Sequence, residues 1–280
     1  MLHGGDLSGS DRHQLTEMVE QGGGEMQYHV VTDRRLERLP PVGRFGRVVW
    51  MRILLPELLP DVARVLYLDS DTLVTGSLDD LWKSELGDAP LAAAANVVEP
   101  AMKAHVAELG IDGPAPFLNS GVLLFNLEIM RAERSFEAVV RAVDEHRDHL
   151  VWPDQDALNV AFAGRWRPLH PRWNVQNSLW VWRDWAVEVF GEVAVREATA
   201  QPSIRHFEGP SLCKPWHYLC PFPQRKEYLQ TLAATPWSDV SLTDRTWATA
   251  SLRCLPRDAR IRAYQGLQRF RKRGLRAGGS

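Results

Sequence analysis

Apolar positions change period several times along this chain, and each change predicts an element. Between Ser10 and Gly22-Gly23-Gly24, the residues Leu15, Met18 and Val19 share one helical face, with Ser10 placed to cap it. Residues 26–31 alternate as a strand does, and turn-prone Asp33 comes next. Over 48–59, Val49, Ile53, Leu54 and Leu58 return to one side of a helix. The run Arg64-Val65-Leu66-Tyr67-Leu68 is short and strongly apolar, of the kind buried in a parallel sheet. A short capped helix over 77–85 and a strand over 91–98 come after it. Residues 117–127 are apolar but interrupted by Asn119-Ser120-Gly121, which predicts two strand pieces around a break. A long amphipathic helix is expected over 128–149. A shorter one over 154–162 opens on acids that complement its dipole, and a last strand covers 203–207. Strands alternating with helices at this spacing predict an α/β protein with a mostly parallel sheet, which binds ligands where its strands end.

Composition excludes several classes. The 280 residues are 45% apolar and 24% charged, enough for a substantial core and too apolar for a disordered chain. No apolar run is long enough to span a bilayer, and the first residues lack a basic-then-apolar leader pattern. Cys213, Cys220 and Cys254 form neither a disulfide framework nor a four-cysteine zinc pattern, so a reduced, cytoplasmic setting is expected. The net charge of −2 conceals an asymmetry: between Arg253 and Arg276 stand nine basic residues and one acid, Asp258. Tryptophans cluster as well, with Trp152, Trp166, Trp173, Trp180, Trp182 and Trp185 close together. Half of these are expected in the core, and the Trp180-Val181-Trp182 alternation offers a stacking surface for a sugar or a lipid.

Chemistry is concentrated after the apolar run. In Asp69-Ser70-Asp71 the two carboxylates are two positions apart, so on an extended chain both point to one side and can hold one hard cation beside a phosphate-bearing ligand. By itself this pattern is also that of a solvated turn, and Asp154-Gln155-Asp156 repeats it.

Its surroundings are more specific. Arg64-Val-Leu-Tyr-Leu-Asp-Ser-Asp-Thr-Leu-Val74 resembles the donor-site motif of glycosyltransferase family 8, the glycogenin and lipopolysaccharide galactosyltransferase-like retaining enzymes. Phe117-Leu-Asn-Ser-Gly-Val-Leu-Leu-Phe-Asn-Leu127 is similar to that family's second signature, and Pro153-Asp-Gln-Asp-Ala-Leu-Asn159 to its third. His206-Phe-Glu-Gly209 with Lys214-Pro-Trp-His217 resembles the fourth, although four residues separate Gly209 from Lys214, more than in the family pattern.

The resemblance implies a GT-A-type domain over 1–235, with a basic extension over 236–280. It implies transfer of a hexose from a UDP-sugar to a glycan or lipid-linked acceptor, with Mn²⁺ or Mg²⁺ held by Asp69, Asp71 and His206. Arg52, Asn119, Gly209 and Lys214 would bind the donor. Gln155 would lie on the face where a double displacement needs a carboxylate, with Asp154 as the fallback nucleophile. Because an amide is a poor nucleophile, front-face substitution is implied, the departing diphosphate taking the acceptor's proton. Asp156 would be an N-terminal helix acid without a direct role. The stretch His3-Gly-Gly-Asp-Leu-Ser8 resembles the segment after the family's first strand, so that strand is expected to be missing, the nucleotide-base pocket incomplete and UDP-sugar binding weak.

From 255 to 276, Ile261, Tyr264, Leu267 and Phe270 recur at helical spacing among the cations. A basic amphipathic helix suits an anionic membrane surface, and so a cytoplasmic protein peripheral on the inner membrane face. The acidic remainder and the lack of a recognition motif argue against nucleic acid. Two rivals remain. A haloacid-dehalogenase-type phosphatase also places Asp-x-Asp after a buried strand, but has Thr where this chain has Leu73. A non-catalytic sugar-binding protein fits the tryptophans and the missing strand.

Overall fold

Strands that are apolar on both faces need cover on both sides, and here helices and loops supply it. The computed structural model describes residues 1–42, 46–111, 117–256 and 258–264. Two compact units result, Met1–His206 and Phe207–Ser280.

The first unit opens with β1 (Leu2–His3), α1 (Gly9–Gln21) and β2 (His29–Val30), then 3-10 turns at Arg34–Arg38 and Val48–Leu54. Next come α2 (Leu55–Leu58), β3 (Arg64–Leu68), β4 (Thr72–Val74), α3 (Asp79–Trp82), β5 (Leu91–Ala95), α4 (Pro100–Glu108) and β6 (Leu118–Asn126). After these run α5 (Leu127–Ala132), α6 (Ser135–His146), α7 (Pro153–Ala161), β7 (Arg167–Pro168) and a 3-10 turn at Pro171–Trp173. The unit closes with α8 (Ser178–Val181), α9 (Arg183–Phe190), α10 (Glu192–Ala200) and β8 (Ile204–His206).

The central sheet has the order β3-β6-β5-β7. The α/β architecture is the expected one, but the sheet is mixed rather than mostly parallel. Strand β6 runs antiparallel to both β3 and β5, while β5 and β7 are parallel. An apolar run reports that both faces are covered; it does not report the direction of its neighbours. Strand β6 illustrates this: Leu123 and Phe125 enter one layer with Trp50, Ile53, Val139 and Leu158, whereas Val122 and Leu124 enter packing layers that include Leu81, Ile204 and Leu86.

Several boundaries differ from the sequence pattern for identifiable reasons. The cap of α1 is Ser8, whose Oγ accepts from the Asp11 amide at 3.0 Å, and not Ser10. The helix predicted over 48–59 winds first as 3-10, with Trp50 through Leu54 all buried. The strand predicted over 26–31 shrinks to the two residues that pair with β1. The single helix predicted over 128–149 is two, because Arg134 takes the left-handed conformation at φ 53°. Met130 and Phe136 both face the core, yet their spacing puts them roughly 120° apart around a continuous helix. The break restores the phase.

The predicted break at Asn119-Ser120-Gly121 is absent, and β6 is continuous. The irregularity lies on the partner strand, where the register shifts between Ala93 and Ala95. Side-chain amides of α7 take up backbone groups of β6 nearby. Gln155 Oε1 accepts from the Ser120 amide at 3.0 Å, and Asn159 Oδ1 accepts from the Leu118 amide at 2.6 Å. Asn159 Nδ2 returns a bond to the Leu118 carbonyl at 3.0 Å. Gln155 and Asn159 are four apart, hence on one helical face.

In the second unit α11 (Arg225–Ala233) and α12 (Trp247–Leu252) precede a helical stretch over 258–264. Leu219, Phe222 and Tyr264 are buried, and the Tyr264 hydroxyl lies 3.0 Å from His217 Nε2. Leu267, Phe270 and the cations from Arg269 to Arg276, expected on a basic amphipathic helix, lie outside the described residues. Among the described residues no helix is long and apolar enough to cross a membrane.

Asn159 is fully buried, and its loss would leave the Leu118 amide without that acceptor. Asn159→Ala is expected to cost about 1–3 kcal/mol, read as a lower urea midpoint with an unchanged slope. A wild-type midpoint would show that the amide bridge contributes nothing.

Candidate active site

Two sheet edges bring the acidic pair to a histidine distant in sequence. Strand β3 is extended past its end by the Asp69 amide, which donates to the Gly121 carbonyl at 2.8 Å. The chain then turns, Thr72 Oγ1 donating to the Asp69 carbonyl at 2.8 Å, and re-enters a ladder as β4. Strand β4 pairs antiparallel with β8, and Thr72 stands opposite His206. The next residue back, Asp71, is thereby set beside the imidazole. His206 Nε2 lies 3.3 Å from Asp71 Oδ1 and 3.9 Å from Asp69 Oδ2. One ligand atom from each of the three residues falls within 4.8 Å of the others.

Behind the acids lies a buried cation. Arg52 is 4% exposed, and its guanidinium donates to Asp69 Oδ1 at 3.1 Å and sits 3.3 Å from Asp154 Oδ2. It also donates to the carbonyls of Val49 at 3.0 Å and Ser120 at 2.6 Å, and lies 4.4 Å from the centre of the Tyr67 ring. Burial alone would weaken its hold on its proton. Asp69, Tyr67 and Asp154 outweigh that and keep its pKa above the ordinary arginine value. Burial also pushes the Tyr67 phenol up, with Arg52 opposing, so the hydroxyl remains a donor to Asp69 Oδ1 at 2.7 Å. Asp154 is raised chiefly by burial, with Arg52 opposing and the neighbouring Asp69 charge adding.

Side-chain amides line the other side of the imidazole. Asn174, fully buried, places Oδ1 2.9 Å from His206 Nδ1, and its Nδ2 donates to Asn119 Oδ1 at 2.8 Å. That oxygen also accepts from the Gly121 amide at 3.0 Å, while Asn119 Nδ2 donates to Asn96 Oδ1 at 2.9 Å. Gly121 has a steric part too. A Cβ there would come within 2.6 Å of His206 Nδ1 and closer still to Cε1, so only glycine leaves space for the ring.

A family model described as Glycosyl transferase family 8 matches residues 9–220. The chain belongs to glycosyltransferase family 8. It is 28% identical to General stress protein A of Bacillus subtilis over 84% of this chain and 82% of that protein. Its identity to the lipopolysaccharide 1,3-galactosyltransferase of Salmonella typhimurium is 24%, covering 83% of this chain and 68% of the relative. Among solved structures it is similar to the galactosyltransferase LgtC in complex with donor and acceptor sugar analogs, with a TM-score of 0.72, 26% identity and 82% of each chain covered. This family 8 chain is therefore a glycosyltransferase with the GT-A-type fold.

Of the positions predicted from sequence in this family 8 enzyme, Asp69, Asp71, His206, Arg52, Asp154, Gln155 and Asn119 fall in one neighbourhood of the first unit, joined by the contacts above. Gly209 and Lys214 belong to the second unit. There Gly209 has φ 94°, which favours glycine, and buried Lys214 donates from Nζ to the Phe207 carbonyl at 2.9 Å. Asp156 is more than a helix-end acid: fully buried, it accepts from the amides of Val151 and Trp152 at 2.7 and 2.9 Å and lies 3.1 Å from His105 Nε2. The Trp180-Val181-Trp182 stretch is helical up to Val181, which is 50% exposed, while both tryptophans are half-buried against Leu179 and Ala186.

Four residues of the neighbourhood were not predicted. Tyr67 had a signal, since it is two positions before Asp69 on a strand and shares its side. Gly121 reads in the sequence as part of a break between strand pieces. Asn96 and Asn174 carry no local signal, because only the tertiary fold brings them to Asn119 and His206.

Gly121→Ala is expected to drive the His206 ring from its seat and cost about 1–3 kcal/mol of stability, measured by urea unfolding together with a Mn²⁺ titration. Wild-type values in both would contradict the steric role. Removing the Arg52 cation has a signed pH dependence. Without the guanidinium, Asp154 binds its proton still more tightly when folded than at the ordinary 3.8 of the unfolded chain. The folded state then holds the extra proton, so Arg52→Met should lose stability, relative to wild type, as pH rises from acidic to neutral. An equal deficit at both pH values would contradict the charge argument.

Proposed function

We propose that this family 8 enzyme transfers a hexose from a UDP-sugar to a hydroxyl of a glycan or lipid-linked acceptor with retention, assisted by one divalent cation. The observation that carries this reading is the convergence of Asp69, Asp71 and His206. Two carboxylates and one imidazole are a donor set suited to Mn²⁺, with Mg²⁺ as the harder alternative. Such an ion, when bound, stabilises the negative charge that develops on a departing diphosphate. The relatives, lipopolysaccharide galactosyl- and glucosyltransferases among them, support a sugar donor and a glycan acceptor.

The protein's own groups have distinct parts in this reading. Arg52 pairs with both Asp69 and Asp154 and fixes the Ser120 carbonyl. Gln155 spends Oε1 on the Ser120 amide, and Asp154 is paired with a guanidinium. Neither is a ready nucleophile, which supports front-face substitution over a covalent glycosyl-enzyme. In that step the bond from the anomeric carbon to the diphosphate oxygen breaks. The acceptor oxygen bonds to the same carbon on the same face, and its proton passes to the leaving diphosphate. Lys214 and Gly209 are read as diphosphate contacts, Arg52 and Asn119 as contacts to the donor sugar. The basic run from Arg253 to Arg276 is read as a contact with an anionic membrane surface.

Asp71→Asn tests the metal reading. Asp71 is only partly buried, so folding should be nearly unchanged. Mn²⁺-dependent hydrolysis of a panel of nucleotide sugars, and transfer from the one accepted, should fall on the order of 100-fold or more. Chelator should abolish the wild-type reaction and added Mn²⁺ restore it. Wild-type turnover in the variant would reject the assignment.

A further inference from the structure

The amides around His206 form a directed chain, and its direction can be deduced from one backbone group. The Gly121 N–H can only donate, and its acceptor at 3.0 Å is the Asn119 side chain, so the atom there is the oxygen, Oδ1. The Asn174 atom 2.8 Å from that oxygen must then be Nδ2. The remaining Asn174 atom is Oδ1, and it lies 2.9 Å from His206 Nδ1. An oxygen there requires a proton on Nδ1. Turning either amide over would set donor against donor or acceptor against acceptor within a buried cluster, at a cost of a desolvated polar pair.

We propose that Asn174 is a positioning residue: it fixes the Nδ1-protonated tautomer of His206, so that the Nε2 lone pair faces Asp69 and Asp71, with the polarity set by the Gly121 backbone N–H through Asn119. The inference rests on the reading of His206 as a metal ligand. A ring nitrogen can bind a cation only when it is unprotonated, and its tautomer is set by the group that the other nitrogen meets. Here that partner is a neutral amide, which selects the tautomer without adding negative charge to a site that already holds two carboxylates. At the far end of the chain Asn96 accepts from Asn119 Nδ2 at 2.9 Å.

The first measurement needs no metal. Long-range ¹H–¹⁵N correlation of the full chain should show His206 Nδ1 protonated. In Asn174→Leu the two tautomers should mix, and Mn²⁺ affinity should fall about 10- to 100-fold. A merely structural asparagine would lower stability without mixing the tautomers. An unprotonated Nδ1 in the wild type overturns the proposal, as does a folded Asn174→Leu with wild-type tautomer and affinity. If Asn174→Leu does not fold, the wild-type spectrum decides alone. Unchanged Mn²⁺ binding in His206→Ala would overturn the ligand reading and leave the tautomer result standing, so the two failures are distinguishable.

Discussion

The chemistry of this protein depends on a ladder of three residue pairs. Thr72–Val74 lies against Ile204–His206, and without that pairing the aspartates and the imidazole have no reason to meet. Thr72 and His206 are 134 positions apart, and closing a chain segment of that length costs about 4 kcal/mol in entropy beyond the fixed cost of closure. A few ladder bonds, each worth about 1 kcal/mol net, offset little more than that. The margin comes from packing: Ile204 is fully buried with Leu81, Val122 and Trp173, and one such side chain contributes about 1.5–3 kcal/mol. A β-ladder therefore positions the histidine, and an apolar layer holds the ladder.

Charge in the site is managed by one guanidinium. Burial and the neighbouring Asp69 charge both push Asp154 toward holding a proton. Arg52 pairs with both carboxylates and opposes that shift. It also ties the 3-10 turn at Val48–Leu54 to β6 through the Ser120 carbonyl. A lysine could carry the charge but could not reach two carboxylates and two carbonyls with one planar group.

The rest of the scaffold is polar but neutral. Gln155 and Asn159 bind α7 to β6, and Asn96, Asn119 and Asn174 connect β6 to the imidazole. Amides can donate and accept at once, so they satisfy buried backbone groups without the desolvation cost of charges. The mid-strand residues Asn119, Ser120 and Gly121 fit this scheme. They look like a turn in the sequence because their composition is that of a turn, but their polar atoms are consumed inside the sheet.

The sequence by itself determined the family, the α/β class, the acidic pair after β3 and the short list of side chains around it. These are carried by contiguous residues: an apolar run, an i, i+2 carboxylate pair and motifs in a fixed order. Strand direction, the break at Arg134, the burial of Arg52, the seat that Gly121 leaves for His206 and the part of Asn174 were decided only in three dimensions. Local patterns record which faces are buried and which groups are polar. They do not record which distant group fills a given space or accepts a given proton, because those partners are chosen by packing and pairing across tens of residues.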